Sequence, residues 1–184
     1  MKILSRGLMV LSLGLWLASC VPGRIDNVYI DASYEPTYLS HVPFSHSLWA
    51  VVSGNPFPGT SPVAFADYVN HVIQAPGIDP DPNSPYHMIF VFNRTSAVPF
   101  TEFCDAHPGA PLPPPARFTG EVHVAVGMCW GGKLYSSLVA SVSDISDVND
   151  PKLAQFLRYL TVRLFPNHNA QHEGQQNCVL APNC

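Results

Sequence analysis

The chain has 184 residues and a formal charge of −4 at pH 7, from nine Lys and Arg against thirteen Asp and Glu. Charged residues are only 12% of the total and no Lys/Arg cluster occurs, which argues against nucleic acid or an anionic bilayer surface as an electrostatic partner. The low charge together with nineteen prolines points instead to a loop-rich fold with a bland surface.

The first element is a leader. Lys2 and Arg6 precede an apolar stretch, Gly7 to Leu17, of about eleven residues, which is the length of a signal-peptide core. A membrane-spanning helix needs about 20 apolar residues, so the segment is an export signal and takes no part in the fold. It ends in Leu17-Ala18-Ser19-Cys20. These four residues resemble the lipobox of bacterial lipoprotein precursors. The resemblance implies transfer of diacylglycerol to the Cys20 sulfur, cleavage before Cys20 and acylation of the new amino terminus. Two or more acyl chains hold a protein on a bilayer almost permanently, at about 0.8 kcal/mol per buried CH₂. Val21 stands where many inner-membrane lipoproteins carry Asp, so the same resemblance implies the outer membrane. Removal of residues 1–19 leaves seven basic and thirteen acidic residues, a formal charge near −6, in a chain long enough for one domain.

Residues 20–40 read as the lipidated N-terminus and a tether, because VPGRIDNVYIDASYEPTYLS shows no sustained period. A flexible chain of that length spans roughly 25 Å. A globular domain is expected over 41–166. It opens with a buried strand in HSLWAVVS, His46 to Ser53. Thr60 or Ser61 then caps a helix with Pro62 in its first turn, and Phe65, Tyr68, Val69, Val72 and Ile73 recur at helical spacing until Pro76-Gly77. Tyr86 to Asn93 (YHMIFVFN) gives a second buried strand, completing a β-α-β unit with parallel strands.

Residues 95–117 contain PGAPLPPPA, too stiff for a helix or a central strand, and are expected to form a strap over a sheet edge or core rather than a polyproline ligand. Glu121 to Cys129 and Lys133 to Ser143 flank Gly131-Gly132, a pair suited to a tight hairpin turn. A regular two-residue turn places Val124 opposite Val139 and Met128 opposite Tyr135. On the other face it sets Ala125 against Leu138 and Cys129 against Leu134. Asn149 or Asp150 caps a final helix with Pro151 in its first turn and Leu153, Phe156, Leu157, Leu160 and Leu164 as its buried stripe. Residues 167–184 have no core pattern and read as an irregular tail. The order predicts an α+β two-layer domain, with a mixed sheet of about four strands and both helices on one face. The segments VVSGNPF and IFVFN, with a hairpin strand ending in cysteine, are similar to small proteobacterial envelope lipoproteins; that resemblance implies no activity.

With Cys20 lipidated, Cys104, Cys129, Cys178 and Cys184 remain, an even number that reads as two disulfides. More than one pairing is open. Cys104–Cys129 with Cys178–Cys184 is favoured, the first closing a loop of about 26 residues at roughly 3 to 4 kcal/mol.

Catalytic signatures are missing: the sequence contains no G-x-S-x-G elbow, Walker A loop, G-x-G-x-x-G or H-E-x-x-H. Cys104-Asp105-Ala106-His107 sets a thiol near an imidazole, but an oxidising compartment favours the disulfide. His168 and His172 lie four apart and are followed by Cys178 and Cys184, a set that could hold zinc on a helix. Asn169, Gly174 and Pro166 weaken such a helix. His71, His87 and His123 read as surface histidines. No spacing rule pairs Asp67 with Glu102 or Glu121 with Asp144 as acid and base. The sequence therefore predicts a non-catalytic, membrane-anchored envelope lipoprotein that has no cofactor beyond its covalent lipid. It would act in protein interaction or assembly and face the periplasm or the cell surface, with the bilayer and an envelope protein as partners. The alternative is a periplasmic small-ligand or metal-binding lipoprotein using the His/Cys tail.

Overall fold

A computed structural model describes residues 23–93, 103–104 and 117–169. The elements are β1 (Arg24–Ile30), α1 (Pro36–Leu39), α2 (Val42–Ser45), β2 (Trp49–Ser53), α3 (Pro62–Val72), β3 (Tyr86–Phe92), β4 (Val122–Trp130), β5 (Lys133–Val142) and α4 (Pro151–Arg163). They form one five-stranded mixed sheet in the order β1-β5-β4-β3-β2, with β2 and β3 parallel and every other pair antiparallel. The fold is α+β, as the element order predicts.

The two long helices start where their sequence supplies an acceptor. Ser61 accepts from the Ala64 N–H at 3.2 Å at the start of α3, and Asp150, rather than Asn149, accepts from the Lys152 N–H at 2.9 Å at the start of α4. A proline in each first turn has no N–H to leave unpaired. Both helices bury their stripes on one side of the sheet. Phe65 and Val69 of α3 and Leu153, Phe156, Leu157 and Leu160 of α4 pack against Met88, Phe90, Phe92, Val124, Val126 and Leu138. Arg158 ties the pair together: its Nε–H donates to the Val72 carbonyl at 3.0 Å.

Two expectations need correction. Residues 24–40 are not a tether. Arg24–Ile30 pairs with β5 as an edge strand, Tyr34 and Leu39 are fully buried, and the sheet has five strands rather than four. The register of β1 shifts between Ile25 and Val28, and a bulge there breaks the alternation by which a strand is recognised. The tail reading also fails at its start. Asn169 is buried, and its Nδ2–H donates to the Asp31 and Tyr34 carbonyls at 2.9 and 3.3 Å.

The hairpin forms around Gly131 and Gly132, both at positive φ, but its register departs from the regular one. Cys129 faces Leu134 as expected; beyond it Met128 faces Ser136, Ala125 faces Val139 and Val124 faces Ala140, because the register shifts by one between Met128 and Cys129. A one-residue slip turns the following side chains to the other face. Here it moves Leu138, Ala140 and Val142 into the helix-side core and leaves Val139 on the opposite side.

That opposite side is also covered. Ile89, Val91, Ala125, Cys129, Leu134 and Val139 form a second apolar cluster with Phe103, and a disulfide joins Cys104 to Cys129. Gly127 makes room for the strap: a Cβ there would lie 2.7 Å from the Phe103 ring. Residues 94–102 and 105–116 lie outside the described residues.

The outer edge of β2 is closed by α3. Asn70 accepts from the Ala50 N–H at 2.7 Å and donates to its carbonyl at 3.0 Å; Gln74 does the same for Leu48 at 3.1 and 2.8 Å. Four residues of helix rise about 6 Å, close to the repeat of two residues along a strand, about 6.6 Å. Two carboxamides one turn apart therefore act as a substitute neighbouring strand for a sheet edge.

Candidate functional site

The strand directions give the domain two distinct ends. β1 and β4 begin, and β2, β3 and β5 finish, at the end where the chain enters the fold. At the far end lie α1, α2, the Gly131-Gly132 turn, the loop after α3 and the C-terminus of α4. Among the described residues, three of the five exposed large apolar side chains, Tyr38, Phe44 and Val162, are at this far end, with Phe44 62% exposed.

Phe44 and Val162 border a groove of about 560 Å³ between α2, the segment Ile73–Asp79 and the last turns of α4. Phe44, Pro76, Ile78 and Val162 supply apolar walls, and His71, Gln74, Asp79 and Arg158 supply polar ones. Arg158 is held there by its bond to Val72, at the C-terminal, negative end of the α3 dipole. Its cationic group and the exposed apolar walls suit a protein segment carrying an aliphatic anchor beside a carboxylate.

An aromatic array lies at the same end. Tyr38 stacks on Trp130 at 5.7 Å between ring centroids, Trp130 meets Tyr135 at 5.8 Å, and the Tyr38 and Tyr86 hydroxyls are 2.8 Å apart. Burial, and secondarily the bond to Tyr38, push the Tyr86 phenol up to about 12. At neutral pH the Tyr86 phenol is uncharged, and either hydroxyl of the pair can be the donor. Lys133, the first residue of β5, reaches Asp31 just beyond the neighbouring β1 at 2.9 Å and lies 5.2 Å over the Tyr135 ring. The Ser33 hydroxyl, with further bonds from Lys133, the Ser33 N–H and Tyr29, holds the Asp31 carboxyl far below the usual carboxylate range. This cluster ties the start of β5 to the segment that follows β1.

Of the residues singled out from sequence, Cys104 and Cys129 come together as a disulfide. Cys20, Glu102, Asp105, His107, His172, Cys178 and Cys184 lie outside the described residues, and His168 is exposed. His71 is on the groove wall, His123 lies 3.2 Å from Glu121, and His87 is half-buried on the sheet. Among the described residues no group of three or more His, Cys, Asp or Glu could hold a metal ion, and no helix is long and apolar enough to cross a membrane. The sequence reading missed the groove, since exposure of Phe44 and Val162 has no local signature. It also missed Asn70 and Gln74, although two carboxamides spaced i, i+4 inside an apolar stripe are a legible signal.

No family model, curated protein or solved structure matches this chain.

Proposed function

We propose that this protein is a non-catalytic envelope lipoprotein, anchored through acyl chains on Cys20, that binds another envelope protein at the far end of its domain. The observation that carries the reading is the groove. It combines an exposed Phe44 and Val162 with Arg158 at the end of the domain opposite the point where the leader joins the fold. Exposed apolar groups of this size around a fixed cation are characteristic of recognition surfaces. The leader supports the anchor, and the bland charge of the chain supports a protein partner rather than a polyanion.

A photo-cross-linking side chain at Val162, in the lipidated protein in its own membranes, tests the reading. The expected result is an adduct with one envelope protein that disappears with Phe44→Asp or Arg158→Glu and is not formed from the same probe at Gly59, at the other end. An adduct indifferent to those substitutions would refute the groove as the binding surface. Cys20→Ser is expected to release the protein from membranes and to remove the lipid mass seen by mass spectrometry.

A further inference from the structure

Gly23 is locked to the domain. Its φ is +97°, and a Cβ at this position would lie 2.5 Å from the Ser141 carbonyl oxygen and 2.7 Å from the Phe156 ring. Only glycine fits such an approach at positive φ. Only Val21 and Pro22 separate this fixed residue from Cys20, and three residue steps span at most about 11 Å even when fully extended.

From this we infer that the bilayer is held directly against one end of the domain, which makes that end a membrane-facing surface. The inference rests on Cys20 being lipidated, and it replaces a long leash with a short rigid joint. The surface consists of the turn from Gly54 to Ser61, the start of α3, the approach to β4 at Gly120 and Glu121, and the loop between β5 and α4. Each of these adjoins a strand end level with Arg24, since Arg24 pairs with Ser141, Val122 with Val142, Phe92 with Val124, and Ser53 with Val91. Val63, the most exposed large apolar side chain among the described residues at 71%, lies here in the first turn of α3. Glu121, Asp144 and Asp147 are also exposed here, so contact with anionic headgroups comes from the covalent joint and not from charge attraction. Salt, which screens exposed charges beyond a Debye length, leaves the attachment unchanged. The groove and the aromatic array lie at the other end of strands of nine and ten residues, about 30 Å away. The short joint thus presents them away from the membrane.

Both tryptophans of the processed chain, Trp49 and Trp130, are at the far end, where β2 begins and β4 finishes. They are native reporters of that end. The lipidated protein is reconstituted into phosphatidylethanolamine/phosphatidylglycerol vesicles carrying a headgroup-region nitroxide lipid, as wild type and as Val63→Trp. The emission added by Val63→Trp is expected to be quenched several-fold more strongly than that of Trp49 and Trp130. A long Gly/Ser insert between Pro22 and Gly23, about 20 residues and roughly 25 Å in root-mean-square span, is expected to abolish the difference while vesicle flotation persists. Equal quenching at the two ends of the floating wild-type protein, or a difference that survives the insert, would overturn the orientation. Failure of wild type to float, or flotation undiminished by Cys20→Ser, would instead overturn the lipid-anchor reading.

Discussion

Removing the Asn70 carboxamide tests how the sheet edge is closed. Asn70 is 4% exposed and Ala50 3%; the amide satisfies the Ala50 N–H and carbonyl and also bonds the Ala66 carbonyl at 3.1 Å. Asn70→Leu keeps comparable volume and leaves both Ala50 groups buried without a partner. Each orphaned group costs about 1–3 kcal/mol, so the expected loss is about 2–6 kcal/mol. With a urea dependence of about 2 kcal/mol per molar, the unfolding midpoint of the Cys20→Ser protein should fall by about 1–3 M. Asn70→Asp separates hydrogen bonding from packing. Its ionised form accepts from Ala50 N–H but faces two carbonyls with no proton to donate, whereas its protonated form restores a donor. Burial and the facing carbonyls raise its folded pKa above the unfolded value of about 3.9. The folded state then binds more protons, and stability is greatest below the unfolded pKa and is lost as pH rises through the folded one. A Leu variant as stable as wild type, or an Asp variant that gains stability with rising pH, would refute the substitute-strand account.

Three further outcomes follow from the packing. Replacing Cys104 and Cys129 by Ala opens a crosslink of sequence separation 25. The chain-entropy model gives a loss of about 3.5 kcal/mol, equivalent to a melting temperature lower by about 7–14 °C, measurable by calorimetry. Gly127→Ala drives a methyl to within 2.7 Å of the Phe103 ring and 2.9 Å of Leu134. It should cost about 1–3 kcal/mol by overpacking, and a Phe103→Leu background should recover much of that in a double-mutant cycle. Because hydrogen bonds, the Ser33 hydroxyl first, depress the Asp31 carboxyl in the folded state, its contribution is present above the unfolded pKa and is lost as pH falls through the folded one. Asp31→Asn should flatten that part of the acid unfolding curve measured by circular dichroism.

What the sequence by itself determined is local in origin. Pro62 and Pro151, each behind a capping side chain, set the starts of α3 and α4, and their apolar stripes set the buried faces. Gly131-Gly132 fixed the hairpin turn because positive φ is a property of the residues themselves. Tertiary structure decided what depends on partners distant in the chain. β1 exists because β5 offers it an edge, and its bulge removes the alternation that would have revealed it. The slip beside Cys129 is chosen by which face best buries Leu138 and Val142, a comparison that requires both layers to be present. Asn70 and Gln74 are polar groups in an apolar stripe until β2 lies beside them. Gly23 reads as a flexible link until Ser141 and Phe156 close on it. Backbone conformation follows from neighbours in the chain, whereas register, edge closure and burial follow from contacts that form only when the whole sheet is assembled.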